Sequence, residues 1–330
     1  MVDAVRRHLG TGLLALLLSC AAFGTSGPFA KALIEAGWTP GAVVLIRIAG
    51  AAAVLLPVAL WSARHDLRAL VRAIPLAGTY GLLAVGAAQL GYFQAIERLT
   101  VGVALLIEYL GIVLVVLWVW VLTRRAPHRL TGVGILLAVT GLVLVLDITG
   151  QSTPDLVGIA WALLAATGLA GHYVLAARPT HLPPVSFAAL GLTSGGSALA
   201  LLGLTGVIPM HTGSARVAVA SAQVPAWLAL VELVVVAAVI AYVLGVLGTR
   251  NLGSTLASFV GLTEVLFAVL FAWLVLGELP GAWQLVGGVV ILAGIVAVRW
   301  GERSREERHV PPTSPEPTDQ DRALEPLGGP

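Results

Sequence analysis

The sequence predicts an all-α integral membrane protein, with ten transmembrane helices in two inverted five-helix repeats. Three observations carry that prediction. First, 58% of the 330 residues are hydrophobic and 11% charged, with a mean hydropathy of +0.94, whereas about a quarter of a soluble domain is charged. Apolar runs of the roughly 20 residues needed to cross a bilayer core recur about ten times along the chain. Second, the basic residues are strongly sided. Third, residues 99–145 lie without a gap on residues 252–298 after a shift of 153 positions.

The first run, 9–30, follows Arg6 and Arg7. Its "LLLSC" segment ending at Cys20 has the look of a secretory signal, but nine further spans follow, so it reads as a membrane helix. Gly24, Gly27 and Pro28 interrupt it, and transporters often break helices where they bind or hinge. The second run, 41–61, holds Arg47 about six residues inside its boundary. There the side chain can snorkel to lipid phosphates, act as a counter-ion or bind a carboxylate. The third, 73–94, carries Gln89 and Tyr92; the fourth, 100–122, carries Glu108 and Tyr109. In the fifth, 130–148, Gly134, Ala138 and Gly141 share a face at the small-residue spacing that lets helices approach closely in lipid. The expected contact is inside the fold or in a homodimer.

The sixth run, 155–176, has His172 and Tyr173 near its cytoplasmic end, where a solvated interfacial histidine is expected. The seventh spans 185–208. The eighth, 225–247, holds a shallow Glu232 and, deeper, Tyr242, which coincides with Gln89 at the 153-residue offset and suggests a pair on two walls of one cavity. The ninth, 253–276, holds Glu264; the tenth, 281–300, holds Gly287 and Gly294, which repeat part of the glycine face of the fifth. Trp38, Trp61, Trp227, Trp283 and Trp300 fall near predicted boundaries as an aromatic belt. The expected organisation is a cytoplasmic N-terminus (1–8), a first repeat (9–148), an extracytoplasmic linker (149–154), a second repeat (155–300) and a charged, proline-rich disordered cytoplasmic tail (301–330).

With both termini cytoplasmic, 15 of the 19 Lys and Arg fall inside, including Arg64, Arg124, Arg125, Arg129, Arg178 and Arg250. Only Lys31, Arg98 and Arg216 fall outside, with Arg47 inside a helix. That asymmetry obeys the positive-inside rule for a multi-pass protein of the cytoplasmic (inner) membrane. It accounts for the basic residues without nucleic acid. The repeat matches Trp120 with Trp273, Pro127 with Pro280, Gly134 with Gly287 and Gly141 with Gly294. Five helices per repeat invert the second half, a hallmark of secondary transporters that bind solute at the midplane between halves.

Chemistry narrows the function further. One cysteine allows no intrachain disulfide and no paired-cysteine metal site, so no cofactor or metal is expected. No GxxxxGK[ST] loop indicates ATP as fuel, and no HExxH or GxSxG motif indicates an enzyme, so no catalytic residue is assigned. Glu108 lies about nine residues into a helix of roughly 23 and Glu264 about twelve into another, near mid-bilayer, where ionisable residues mark solute or proton paths. In the repeat frame Glu108 aligns with Gly261 and Glu264 with Gly111 one turn away, so each acid is expected to face a glycine position that leaves room for solute. Neutral glutamates bonded to neighbouring helices remain the structural alternative.

"LIRIAG" with Arg47, the "LGELP" after the ninth run and the five-plus-five repeat resemble the drug/metabolite transporter superfamily, specifically the EamA family, over most of residues 9–300. "GVALLIEYLG" and "TLASFVGLTEVLFAVLFAWLVLGELP" are most similar to the threonine and homoserine exporter branch, in which both helices carry a glutamate. Here Ile112 replaces the proline of the first motif, and "TEV" lacks the proline of the second. The resemblance implies export of small metabolites such as amino acids, with proton antiport as a coupling mode. Its solute-binding or proton-coupling candidates are Glu108, Glu264, Tyr109, Arg47, Gln89, Tyr92 and Tyr242. Uptake, an uncoupled carrier for another small organic solute and a non-enzymatic membrane scaffold stay open as alternatives. The expected partners are a small-molecule solute and the lipid bilayer.

Overall fold

The computed structural model describes residues 2–62, 64, 67–113, 129–145, 155–176, 178–220 and 222–308. The expected features at Trp120, Arg124, Arg125 and Pro127, the linker 149–154 and the end of the tail lie outside them. Among the described residues the protein is helical apart from one hairpin, and six helices are long and apolar enough to cross a membrane. In order, the described α-helices are α1 (Val2–Glu35), α2 (Pro40–Ser62), α3 (Leu67–Tyr80), α4 (Ala88–Ile96), α5 (Val101–Tyr109), α6 (Arg129–Val145), α7 (Leu156–Ala176), α8 (Pro184–Leu204), α9 (Ala226–Val234), α10 (Ala241–Gly261), α11 (Thr263–Leu276) and α12 (Ala282–Arg308).

The breaks fall in different places from those expected. α1 runs unbroken through Pro28. In a membrane bundle, neighbouring groups can compensate the one backbone bond a proline removes. Gly24 instead admits α11, where an added Cβ would lie 2.7 Å from the Cβ of Phe267, and Gly27 admits the Tyr92 hydroxyl. The irregularities are two π-helical turns, Gly81–Ala87 joining α3 to α4 and Val235–Ile240 joining α9 to α10, and a sharp kink inside α10 at Gly253, whose φ of 77° and ψ of 163° are not helical. The Ala88 N–H donates to the Leu83 carbonyl and the Ala241 N–H to the Val236 carbonyl, so the two π-type bonds are separated by the same 153 residues. π-turns of this kind often mark functional positions.

The helices carrying the two acids are interrupted beside them. α5 ends at Tyr109 and tightens at Leu110, whose N–H donates to the Ile107 carbonyl at 3.0 Å. Leu262 separates α10 from α11, two residues before Glu264. α11 closes on Gly277, whose left-handed φ of 72° suits a residue without a Cβ.

Packing runs mainly across the two halves of the chain. α1 lies on α10 and α11, while α7 lies on α4 and α5; α2 packs on α8 and α6 on α12. At the α6–α12 contact an added Cβ on Gly141 would lie 2.7 Å from the Gly287 carbonyl oxygen, and one on Gly294 would lie 2.6 Å from that of Gly134. The glycine face is therefore used inside the chain. The charged segment 301–308, expected to be disordered, continues α12. Its Glu and Arg are good helix formers, and no proline intervenes before Pro311.

The connection after α8 is longer than expected. It holds strands β1 (Arg216–Val219) and β2 (Ala222–Pro225), paired antiparallel with Val217 opposite Val224. This hairpin lies over one end of the bundle: the Ala220 N–H donates to the Val275 carbonyl at 2.7 Å, and the Ser214 N–H to that of Ala36 at 2.8 Å.

Candidate functional site

A small cavity of about 40 Å³ lies between the two halves, lined by Ser19, Cys20 and Phe23 of α1, Ala88 and Gln89 of α4, Glu108, His172 and Tyr173 of α7, Tyr242 and Gly245 of α10, and Glu264. A water needs about 10–15 Å³ on such a measure, so the space holds a few waters. Both acids line it from the helical turns beside the Leu110 and Leu262 interruptions. Glu264 sits in the first turn of α11, accepting a hydrogen bond from the Tyr109 hydroxyl at 3.3 Å. The buried Glu108, in the last turn of α5, has no hydrogen bond among the described residues.

Neither glutamate is opposed by an empty glycine site. The space over Gly261 is filled by the Tyr173 hydroxyl, and that over Gly111 by the Ala166 backbone. In the folded chain those glycines serve close packing. The Tyr109 hydroxyl also donates to the Gly261 carbonyl at 2.5 Å, tying α5 to the end of α10.

Arg47 does not snorkel. It is fully buried, donating to the Gln89 side chain and to the Ala237 carbonyl within the second π-turn. Its guanidinium stands 5.5 Å from the Phe93 ring centre and 5.9 Å from that of Phe23. A depth of six residues leaves the direction around the helix undetermined, and here it points inward. Glu232 accepts a bond from the Thr25 hydroxyl, leaving its second oxygen buried and unbonded. Gln89 and Tyr242 line the one cavity, as the repeat alignment suggests; Tyr92 packs at Gly27 outside it.

His172 is buried rather than solvated, with its Nδ1 3.0 Å from the Tyr80 hydroxyl. Ser19 and Phe23 do not stand out in the sequence, and Cys20 stands out there only as the end of the signal-like "LLLSC" segment. Their signal was the i, i+3, i+4, i+7 spacing of Leu16, Ser19, Cys20 and Phe23, one face of α1.

At the hairpin end, Lys31 of α1 pairs with Glu278 beyond α11 at 2.5 Å and donates to the Leu99 carbonyl at 3.1 Å. The other Glu278 oxygen accepts the Val101 N–H at 3.2 Å. Three segments are thereby latched at one end of the cavity axis. A second, apolar cavity of about 180 Å³ lies between α5, α11 and α12.

The sequence profile of the EamA-like transporter family matches residues 10–147 and 156–300, one copy in each half. Among solved structures, one described as "Crystal structure of protein" is similar over 90% of this chain and 97% of its own, with 18% identity and a TM-score of 0.57, a likeness of fold. No curated protein sequence matches the chain.

Proposed function

Because the chain belongs to the EamA-like transporter family, small-molecule transporters of the drug/metabolite superfamily, we propose that it exchanges protons for a cationic or zwitterionic metabolite, amino-acid-like in size, through the cavity between its halves. The observation that carries this reading is an imbalance of buried charge. Among the described residues Glu108, Glu232 and Glu264 share one interior with the Arg47 guanidinium, while the part-buried Arg250 lies against Phe187 and donates to the Leu182 carbonyl. Uncompensated carboxylates at that depth are too costly to leave charged and unpartnered, so protons or a solute cation must supply the balance. Ligands that compete for the same acids and leave on opposite sides of a membrane are exchanged; that is antiport.

The interrupted helices suit the same task. The two carboxylates beside these interruptions, Glu108 and Glu264, favour a cationic group of the solute. Arg47 holds Gln89 and the second π-turn in place and is the resident counter-charge.

The cross-half packing and the coincident π-turns support an arrangement of ten helices in two inverted repeats. The sidedness of the arginines supports an inner-membrane protein with both termini cytoplasmic. In that orientation the Lys31–Glu278 latch and the hairpin close the outer side, so the solute enters from the cytoplasm, in keeping with export. The test is counterflow of radiolabelled amino acids in proteoliposomes with internal pH recorded together. Exchange accompanied by proton movement supports the reading; exchange without it identifies an uncoupled carrier.

A further inference from the structure

The solute's negative or polar end needs a partner, and Arg47, whose Nε has no partner among the described residues, does not line the cavity. The two terminal nitrogens of Arg47 donate to Gln89 and Ala237. Among the lining residues another donor is held in position by a buried tyrosine.

Tyr80, the last residue of α3, is fully buried, and its hydroxyl meets Nδ1 of His172 at 3.0 Å. A neutral imidazole has one N–H and one bare nitrogen, and the hydrogen bond of one nitrogen decides which the other becomes. If Nδ1 carried the proton, it would donate to the tyrosine oxygen, and the phenolic O–H would be left buried with no acceptor among the described residues. When Tyr80 donates, the phenolic O–H and Nδ1 are both satisfied, and the ring proton sits on Nε2. The tautomer follows from the hydrogen-bond network.

Nε2 has no hydrogen-bond partner among the described residues, and its surroundings are open. The ring is walled edge-on by Tyr173 at 5.3 Å and by Phe23 at 6.5 Å between centres, with Tyr242 at 6.4 Å. Next to Nε2 the wall is Gly245, where an added Cβ would lie 3.9 Å from Nε2 and 2.9 Å from the Ser19 hydroxyl. Ser19 spends its own proton on the Ala241 carbonyl at 2.8 Å. The cavity that Gly245 helps to line also contains Glu108 and Glu264. It therefore offers carboxylates for a positive group and a directed N–H for an acceptor.

We propose that His172, set by Tyr80 with its proton on Nε2, is a specificity-determining donor that takes an acceptor oxygen of the solute while Glu108 and Glu264 hold its cationic nitrogen. The site on this assignment selects an amino acid over the amine left when its carboxylate is removed. The assignment rests on the transport reading above.

Counterflow is measured in proteoliposomes with a radiolabelled mixture of the common amino acids and, separately, with the corresponding decarboxylated amines. Wild type is compared with His172→Leu, His172→Gln and Tyr80→Phe. The amino-acid over amine preference of the wild type falls at least about tenfold in His172→Leu, since a site built to hydrogen-bond a group loses discrimination with the donor. His172→Gln, which keeps an N–H, retains part of it. In ¹⁵N spectra of histidine-labelled protein, His172 reads as Nε2-protonated, and Tyr80→Phe converts it to a mixture of tautomers. An Nδ1-protonated ring in the wild type, or an unchanged preference in His172→Leu, overturns the assignment and leaves the transport reading standing. Absence of exchange of both solute classes by the wild type overturns the two together.

Discussion

At the scale of single residues the site is a matter of which polar groups are left unpaired. Glu108 and Glu264 were legible in the sequence because an acid in an apolar run has few reasons to be there. Replacing either with Gln keeps shape and removes charge. We expect solute exchange to fall at least about tenfold, since losing a charge-assisted contact exceeds the 1.4 kcal/mol of that factor, while the variants still elute as folded protein in detergent. Arg47→Met leaves Gln89 and Ala237 without their donor and deepens the excess of acid; breaking such a buried network costs about 3–5 kcal/mol. A lowered melting temperature in detergent checks this, and Arg47→Lys recovers little of it, because an ammonium lacks the planar fork that reaches two acceptors. The burial of Arg47 and His172 was not legible. Depth along a helix follows from counting residues, but direction around it depends on where neighbouring helices lie.

At the scale of elements, the close α6–α12 contact was readable from Gly134, Gly141, Gly287 and Gly294, since small residues at regular spacing have a packing consequence in lipid. Whether they meet within a chain or between chains was not, and the structure places them within it. Gly141→Val or Gly294→Val drives side chain into backbone; we expect a loss of about 1–3 kcal/mol or more, seen as reduced resistance to SDS-induced unfolding. The break expected inside the first helix is absent, whereas α10 kinks at Gly253, where the ninth run was expected to begin. Gly24, Gly27 and Pro28 attract attention as helix breakers, whereas the π-turns and the stops at Leu110 and Leu262 arise from long-range packing that no local residue type announces. The hairpin was hidden in "RVAVASAQVP", whose short alternation is diluted by the apolar runs on either side. For the latch, Lys31→Glu is expected to lower exchange and raise leak, and the swap Lys31→Glu with Glu278→Lys to restore a part of it. A double variant no better than the single one argues against the pairing as a gate.

At the scale of the whole molecule, two matching halves enclose the cavity, with the hairpin and latch over one end. Its only cysteine, Cys20, lines that cavity and reports on its access without any engineered change. On the proposed orientation, thiol reagents that cannot cross the membrane reach Cys20 from the cytoplasmic side far faster than from outside. Glu278→Gln, which weakens the latch, raises the outside rate. The most direct test of the central claim, that this cavity is the solute path, is the rate of Cys20 modification from each side with and without an exchanged solute. The account predicts one-sided labelling that saturating solute slows. Equal labelling from both sides, or a rate indifferent to a solute that the protein demonstrably exchanges, would contradict it.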